Sequence, residues 1–460
     1  MKCMLIEEVV NAVNGSLKNY FDLKIKINGV STDTRNDLKN RLFIPLKGEN
    51  FDGHNFIESA FENGAVCCIS EREIKTDKPV IIVKNTGEAL KELARYYLGQ
   101  FDIPVIAITG SVGKTTTKDM IASVLSEKFK TVKTEGNLNN EIGLPLTVFN
   151  VDETTECVVL EMGMSNKNEI HNLSKIAVPD VCIITNIGVS HIETLGSQEN
   201  ILSAKCEIFD FMKDNGLAIL NGDDSLLSKV GKNLNKGQVA YFGIENKDCT
   251  YSASNIAHNG LSGTSFTVTR DAEFFDLYVP TTGLHMVQNA LCAVAVAFKL
   301  NLDKDQISKG ISNFKPSKMR MDIVKTEKFT IINGVYNASP DSMKATIDVL
   351  STLANSVCIL GDMLNLGELS NDLHFKIGEY AKNKNINKII CVGSKAKYIY
   401  DGAKGHSFIK YFETQEKMFD ELQNILSEND TILVKASRGM EFEKTISYLS
   451  SMNDLHTTSD

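Results

Sequence analysis

The chain has 460 residues, of which 42% are hydrophobic and 23% charged, with a formal net charge of -9. That length exceeds one ordinary core and sets an expectation of two or three domains. The acidic balance excludes a broad nucleic-acid surface, so an anionic ligand must be held by a few local cations and backbone amides.

Ten cysteines are scattered without a Cys-x-x-Cys spacing, and the one adjacent pair is Cys67-Cys68. This suits a reducing cytosol better than a disulfide frame or a zinc site. The opening "MKCMLIEEVV" is interrupted by Glu7 and Glu8, which breaks any signal-peptide core. No apolar run approaches the ~18 residues of a membrane span. A cytoplasmic protein without membrane insertion is expected.

In chain order, "RLFIPL" and "AVCCIS" read as strands, and "NFIESAFENG" as a helix ending at Gly64. "EALKELARYYLGQF" places Leu90, Leu93, Ala94, Tyr97 and Leu98 at helical spacing. A strand over 103–108, a glycine turn and a helix from about Thr115 to Phe129 follow. The short apolar runs "ECVVLE", "VCIITN" and "LAILNGD" alternate with helical stretches, which indicates parallel strands with crossover helices. Residues 240–280 differ and suggest an antiparallel insertion. After about residue 312 the alternation restarts with "FTIING", "SVCILGDM", "NKIICVGS" and "DTILVKAS", a second parallel α/β unit. Three domains fit, over 1–85, 86–312 and 313–460.

The stretch "VIAITGSVGKTTTKDM" carries the chemistry. Gly110 and Gly113 permit a tight path whose N–H groups converge, and the following helix N-terminus adds partial positive charge. Lys114 suits β- and γ-phosphate oxygens, and the Thr115 hydroxyl suits a phosphate-bound Mg²⁺. A turn that merely needs glycine would not also bring a cation, hydroxyls and bare amides together.

Only Ser111 and Val112 separate Gly110 from Gly113, fewer than in the general phosphate loop. The shortened form resembles the Mur ligase and folylpolyglutamate synthase superfamily of ATP-dependent amide-bond-forming enzymes. "STDTRNDLKNRLFIPLKGENFDGHNFIESAFENGA", "TEGNLNNEIGLPLTVFN", "LEMGMSNKNEI", "TNIGVSHIETLGSQENILSAKCEIF", "GLHMVQNALCAVAVA", "YNASPDSMKATI", "GDMLNLGELSNDLH" and "ILVKASRGM" follow in the order of that family. Together they are similar to the branch that joins D-alanyl-D-alanine to UDP-N-acetylmuramoyl-tripeptide through an acyl phosphate. The resemblance implies an α/β fold of three domains. These are a small N-terminal UDP-sugar module, a central P-loop ATPase-like parallel sheet with an antiparallel insertion, and a C-terminal Rossmann-like domain for the amino substrate.

It also implies site residues. Gly110, Ser111, Val112, Gly113, Lys114, Thr115 and Thr116 would hold ATP, with Asn289 and Arg320 reaching the nucleotide and His285 beside Asn289 in the same string. Thr115, Glu161, His191 and Lys205 would bind two Mg²⁺ ions, Lys205 as a carbamate, and Lys114, Glu161, His191 and Lys205 would be catalytic. Periodicity alone makes Lys205 a helical surface lysine, and a lone strand-end Glu161 a solvated cap. Ser31, Thr34, Arg35, Lys47, Gly48, Gly53 and His54 match the uridine-diphosphate module, and Asn137, Asn139 and Asn140 lie near the sugar-peptide. Asn337, Ser339, Asp341 and Arg438 are candidates for the dipeptide pocket. A monomer is expected.

The chain departs from the family at three places. Asn333-Gly334 stands where two aspartates are usual, one of them a ribose contact in related ligases; Asn168 replaces a glycine and Asn365 an acid. A ligase with weakened ribose contact is the reading, against a Mur-type ligase for another amino substrate or a nucleotide-binding paralogue without catalysis.

Overall fold

The computed structural model describes residues 1–19, 22–234 and 239–452. They form two compact units: Met1–Thr109 with Lys128–Ile183 and Ala204–Ala218, and Gly110–Glu127 with Ile184–Ser203 and the described residues from Ile219 onward.

In the first unit a five-stranded sheet runs in the order Ser16–Lys18, Val80–Ile82, Cys67–Ser70, Leu42–Phe43, Val30–Ser31. Its first pairing is antiparallel and the rest are parallel. Ile57 and Ala60 of the helix Ile57–Glu62 pack with Leu38, Phe43 and Cys68, and Gly64 leaves that segment with φ +97°. The helix Thr86–Leu98 starts where the Asn85 side chain accepts the Glu88 N–H at 2.8 Å. Beyond it, Cys157–Glu161 lies parallel between Val105–Thr109 and Thr131–Lys133. "VIAIT" and "CVVLE" are buried at every position, as expected for parallel strands covered on both faces.

In the second unit the helix after the glycine turn spans Lys114–Leu125 and stops a turn before Phe129. There the Ser126 hydroxyl donates to the Ala122 carbonyl at 2.7 Å, a side-chain bond that competes with continued helix. The 240–280 segment is antiparallel over Tyr251–His258, Thr264–Arg270 and Glu273–Val279, but Val239–Gly243 pairs parallel with the first of these.

The C-terminal sheet has six strands, in the order Asp322–Lys325, Thr330–Asn333, Thr431–Lys435, Ser356–Gly361, Lys388–Val392, Ile409–Phe412. It is parallel except for the first pair, an antiparallel edge that the sequence pattern does not reveal. Successive residues alternate between its two faces. Ile332, Cys358, Leu360, Ile389, Cys391 and Leu433 share one core, while Ile331, Val357, Ile359, Ile390, Ile432 and Val434 share the other. Both faces being covered, the strands read as unbroken apolar runs. All ten cysteines are free. No helix among the described residues is long and apolar enough to cross a membrane.

Candidate active site

The phosphate loop is fixed by side chains that follow the strand Val181–Ile184. A Cβ on Gly110 (φ +151°) would fall 1.9 Å from Thr185 Oγ1, so no other residue fits there. Thr185 Oγ1 donates to the Val112 carbonyl at 2.6 Å, and Asn186 brackets Val112 by accepting its N–H and donating to its carbonyl, both at 2.9 Å. The Ser111 hydroxyl accepts the Gly188 N–H at 2.9 Å. Gly113, with φ +87°, turns the chain into the helix Lys114–Leu125. Lys114 Nζ is folded back onto the Gly110 carbonyl at 2.7 Å. Thr115 is buried and Thr116 half-buried on the first turn. A loop with converging amides, a helix N-terminus and a lysine curled over it has the build of a polyphosphate cradle.

Asn289 braces this loop from behind. Its Oδ1 accepts from Thr117 Oγ1 at 3.0 Å and lies 3.2 Å from where a Cβ on Gly113 would be. Thr185 and Asn186 were not singled out from the sequence, although "TN" at a strand end was the signal. His191 has φ +66° and precedes the short helix Ile192–Leu195.

Arg320 stacks 3.8 Å over the Tyr336 ring, between Met319 and Met321 with φ +63° and +65°. A left-handed methionine on each side is unusual and aims the arginine between them. Asn333 is buried; its Oδ1 accepts the Val335 N–H at 3.4 Å. Lys435, a residue the sequence reading passed over, is 5% exposed, and its Nζ donates to the Gly334 and Asn337 carbonyls at 3.4 and 3.0 Å. Burial, with Arg320 nearby, lowers it to about 8. Burial, with Lys435 nearby, lowers His285 to about 4. Of the dipeptide candidates, Ser339 caps the helix Pro340–Ser351 by accepting the Ser342 N–H, and Asn337 and Asp341 are exposed. Arg438 pairs with Glu443.

In the first unit Glu161 ends its strand only 2% exposed, so it is not a solvated cap. Its carboxylate accepts from Asn139 Nδ2 at 2.7 Å. Asn139 thus positions an acid, and Asn140 Oδ1 accepts the Gly143 N–H at 2.8 Å to start the next helix, whereas Asn137 is exposed. Lys205, in the last turn of Gln198–Cys206, is also 2% exposed, which overturns the surface-lysine reading of its periodicity. Glu207 accepts the Asn168 and His171 N–H groups at 2.8 and 3.1 Å at the start of the helix Glu169–Ala177. Asn168 has φ +69°, a conformation that glycine takes freely and asparagine tolerates.

The N-terminal candidates surround a turn. Ser31 Oγ donates to the Asp33 carbonyl at 2.9 Å, and the Thr34 carbonyl accepts from Asn63. The exposed Arg35 forks onto Asp33, holding that carboxyl down to about 2. Lys47 pairs with Glu71 at 2.5 Å, and Glu71 also accepts from the Thr86 N–H. Gly48 packs against Phe51, and a Cβ on Gly53 would meet the Leu46 carbonyl at 2.6 Å. His54 is buried, with Nδ1 2.6 Å from Asp52 and Nε2 accepting the Glu71 N–H. His54 therefore ties the turn to Glu71.

Three family models match in succession: Mur ligase family, catalytic domain, over residues 26–98; Mur ligase middle domain over 108–297; and Mur ligase, glutamate ligase domain, over 319–438. The chain is 39% identical over 451 residues to UDP-N-acetylmuramoyl-tripeptide–D-alanyl-D-alanine ligase of Bacillus subtilis, covering 96% of this chain and 97% of that protein. It resembles the crystal structure of MurF from Acinetobacter baumannii, with TM-score 0.93 and 30% identity over 98% of this chain and 99% of that one. MurF ligase from Thermotoga maritima in complex with ADP matches with TM-score 0.84 and 28% identity, over 93% and 98% of the two chains.

Proposed function

The chain belongs to the Mur ligase family, and from that premise we propose that it joins D-alanyl-D-alanine to UDP-N-acetylmuramoyl-tripeptide, driven by ATP, in peptidoglycan precursor synthesis. One observation carries this reading: the Bacillus subtilis ligase of that activity is matched along 97% of its length, not over a nucleotide domain alone.

Joining a carboxylate to an amine in water requires an activated carboxyl, here an acyl phosphate made with the ATP γ-phosphoryl group. Phosphoryl transfer asks chiefly for alignment and charge neutralisation. The amides of Gly110 to Gly113 and the Lys114 ammonium supply these, Lys114 exchanging the Gly110 carbonyl for phosphate oxygens. Asn186, Thr185 and Asn289 keep the loop rigid, and the Arg320 guanidinium, stacked on Tyr336, suits further phosphate charge. In our reading, which rests on the family resemblance, Thr115, Glu161, His191 and a carbamate on Lys205 are magnesium ligands. The donor set fits hard cations, because Glu161 and Lys205 are both 2% exposed and a carbamate would give the buried lysine anionic oxygens. Bound magnesium neutralises phosphate charge. Arg35 and Lys47 are assigned to the uridine diphosphate, which would replace Asp33 and Glu71 as their partners, around a turn that His54 braces. Asn337, Ser339, Asp341 and Arg438 remain the proposed dipeptide-side residues. We take the protein to work as a cytoplasmic monomer; the free cysteines fit a reducing compartment.

The test is phosphate release by the purified protein with ATP, Mg²⁺, the tripeptide nucleotide and D-Ala-D-Ala, run beside Lys114→Ala. Release should need all components and fall by about three orders of magnitude or more in the variant. Release with D-Ala-D-Ser or D-Ala-D-lactate but not D-Ala-D-Ala would reassign the amino substrate. Nucleotide binding without turnover under every pairing would overturn catalysis altogether.

A further inference from the structure

Asp341 is an acid for which the reading above assigns no chemistry. It lies in the first turn of Pro340–Ser351, and its carboxylate presses against the loop that locks the phosphate cradle. A side chain on Gly188 would begin 2.3 Å from Asp341 Oδ2 and 3.3 Å from Ser111 Cβ, so carboxylate, Gly188 and Ser111 meet at one point. Gly188 in turn donates its N–H to the Ser111 hydroxyl. Among the described residues no hydrogen bond or ion pair satisfies Asp341, and its side chain is open to solvent.

We propose that Asp341 receives the ammonium of the incoming dipeptide beside the phosphate loop and takes its proton. This rests on the ligase reading. An unpaired carboxylate next to a polyphosphate cradle repels that ligand unless a cation comes between them. Two cations are available to the reaction, a metal ion and the ammonium of the second substrate. A metal ion finds too few ligands here. The neighbouring acid Asp224 has its oxygens taken by the N–H groups of Ile187, Leu226 and Leu227 at 2.8, 2.9 and 3.0 Å. No group of three or more His, Cys, Asp or Glu side chains that could hold a metal ion occurs among the described residues. The ammonium is the cation that must reach this place, because its nitrogen attacks the acyl phosphate formed at the loop.

The charged groups facing Asp341 are Asp224 and Lys344. Although the residue is exposed overall, desolvation by the protein packed around the carboxyl raises it above the usual carboxylate range, Lys344 opposes this and Asp224 adds to it, which makes the group a better base near neutrality. In the step, one proton passes from the ammonium to Asp341 and frees the nitrogen lone pair. That pair forms the C–N bond to the acyl carbon, and the C–O bond to phosphate breaks with its electrons leaving on the phosphate oxygen. The second N–H proton leaves with the phosphate.

The experiment compares wild type with Asp341→Asn and Asp341→Glu, using two nucleophiles. With D-Ala-D-Ala, Asp341→Asn should lose about 100-fold or more in kcat/KM, Asp341→Glu should recover part of it, and the acidic limb of the pH profile should flatten in Asp341→Asn. With hydroxylamine, largely unprotonated at neutral pH, wild type and Asp341→Asn should form the tripeptide hydroxamate within twofold of each other, because no ammonium needs docking. Equal losses with both nucleophiles, or a loss below threefold with the dipeptide, overturn the proposal. Failure of wild type itself to form any hydroxamate overturns the acyl-phosphate reading beneath it, a result distinct from either.

Discussion

Lys435 lies where a carboxylate at position 334 would meet it: a Cβ on Gly334 falls 3.7 Å from Lys435 Nζ. The lysine instead rests on two backbone carbonyls. Restoring the family's acid as Gly334→Asp should form the missing ion pair, with only the Val434 carbonyl, 3.3 Å from the new Cβ, needing to give slightly. If the acid also regains a ribose hydroxyl, KM for ATP should fall about tenfold, the size of one hydrogen bond to a charged group. An unchanged KM would show that the glycine does not weaken nucleotide binding.

The same lysine should leave a mark on stability. Its folded value is lowered to about 8, below the ordinary lysine value. Between pH ~8 and ~10.4 the unfolded chain therefore binds a proton that the folded chain does not, and stability rises with pH through that window. Below it, the cost of the buried ammonium is present in full. Urea unfolding at pH 7 and pH 9.5 should show wild type gaining about 2 kcal/mol relative to Lys435→Met. Parallel pH dependence of the two proteins would refute this.

Asn139 holds the buried carboxylate of Glu161 at 2.7 Å. Asn139→Ala removes that donor and should destabilise the protein by about 2 kcal/mol in denaturant unfolding. Because the amide also orients Glu161, the Mg²⁺ concentration needed for half-maximal rate should rise about tenfold or more. A variant that loses stability but keeps its magnesium requirement would make Asn139 purely structural.

These relationships differ in how far the sequence discloses them. The phosphate loop was legible because its residue types leave few alternatives: Gly110 meets Thr185 Oγ1 at a distance no side chain survives, and Lys114 follows at once. The C-terminal strands were legible because both faces are covered, whereas the antiparallel edge Asp322–Lys325 and the short strand Ile409–Phe412 carry exposed or half-buried positions and no such signal. Asn139 and Asn140 were placed near the sugar-peptide by resemblance, since asparagine serves ligands and local caps equally well; the fold adds their bonds to Glu161 and Gly143, which no motif discloses. Lys205 was assigned by resemblance alone, because burial of a helical lysine depends on tertiary packing that its own neighbours do not encode. Glu71, the residue tying Lys47, His54 and Thr86 together, belongs to no motif and emerges only from the fold.

Gly188 gives an independent handle on Asp341. An alanine there would place its methyl group 2.3 Å from Asp341 Oδ2, and the cheapest relief is for that carboxylate to swing aside, since it has no partner to lose. Gly188 has no left-handed φ, so the backbone itself accepts the substitution. Gly188→Ala should therefore change thermal stability by about 1 kcal/mol or less. Its effect should fall on the second substrate: kcat/KM for D-Ala-D-Ala drops about tenfold or more, because a base displaced by an ångström transfers protons poorly. Nucleotide affinity, measured by ADP titration, should stay within threefold of wild type. A loss confined to nucleotide binding would instead mean that Gly188 acts only through its N–H bond to Ser111.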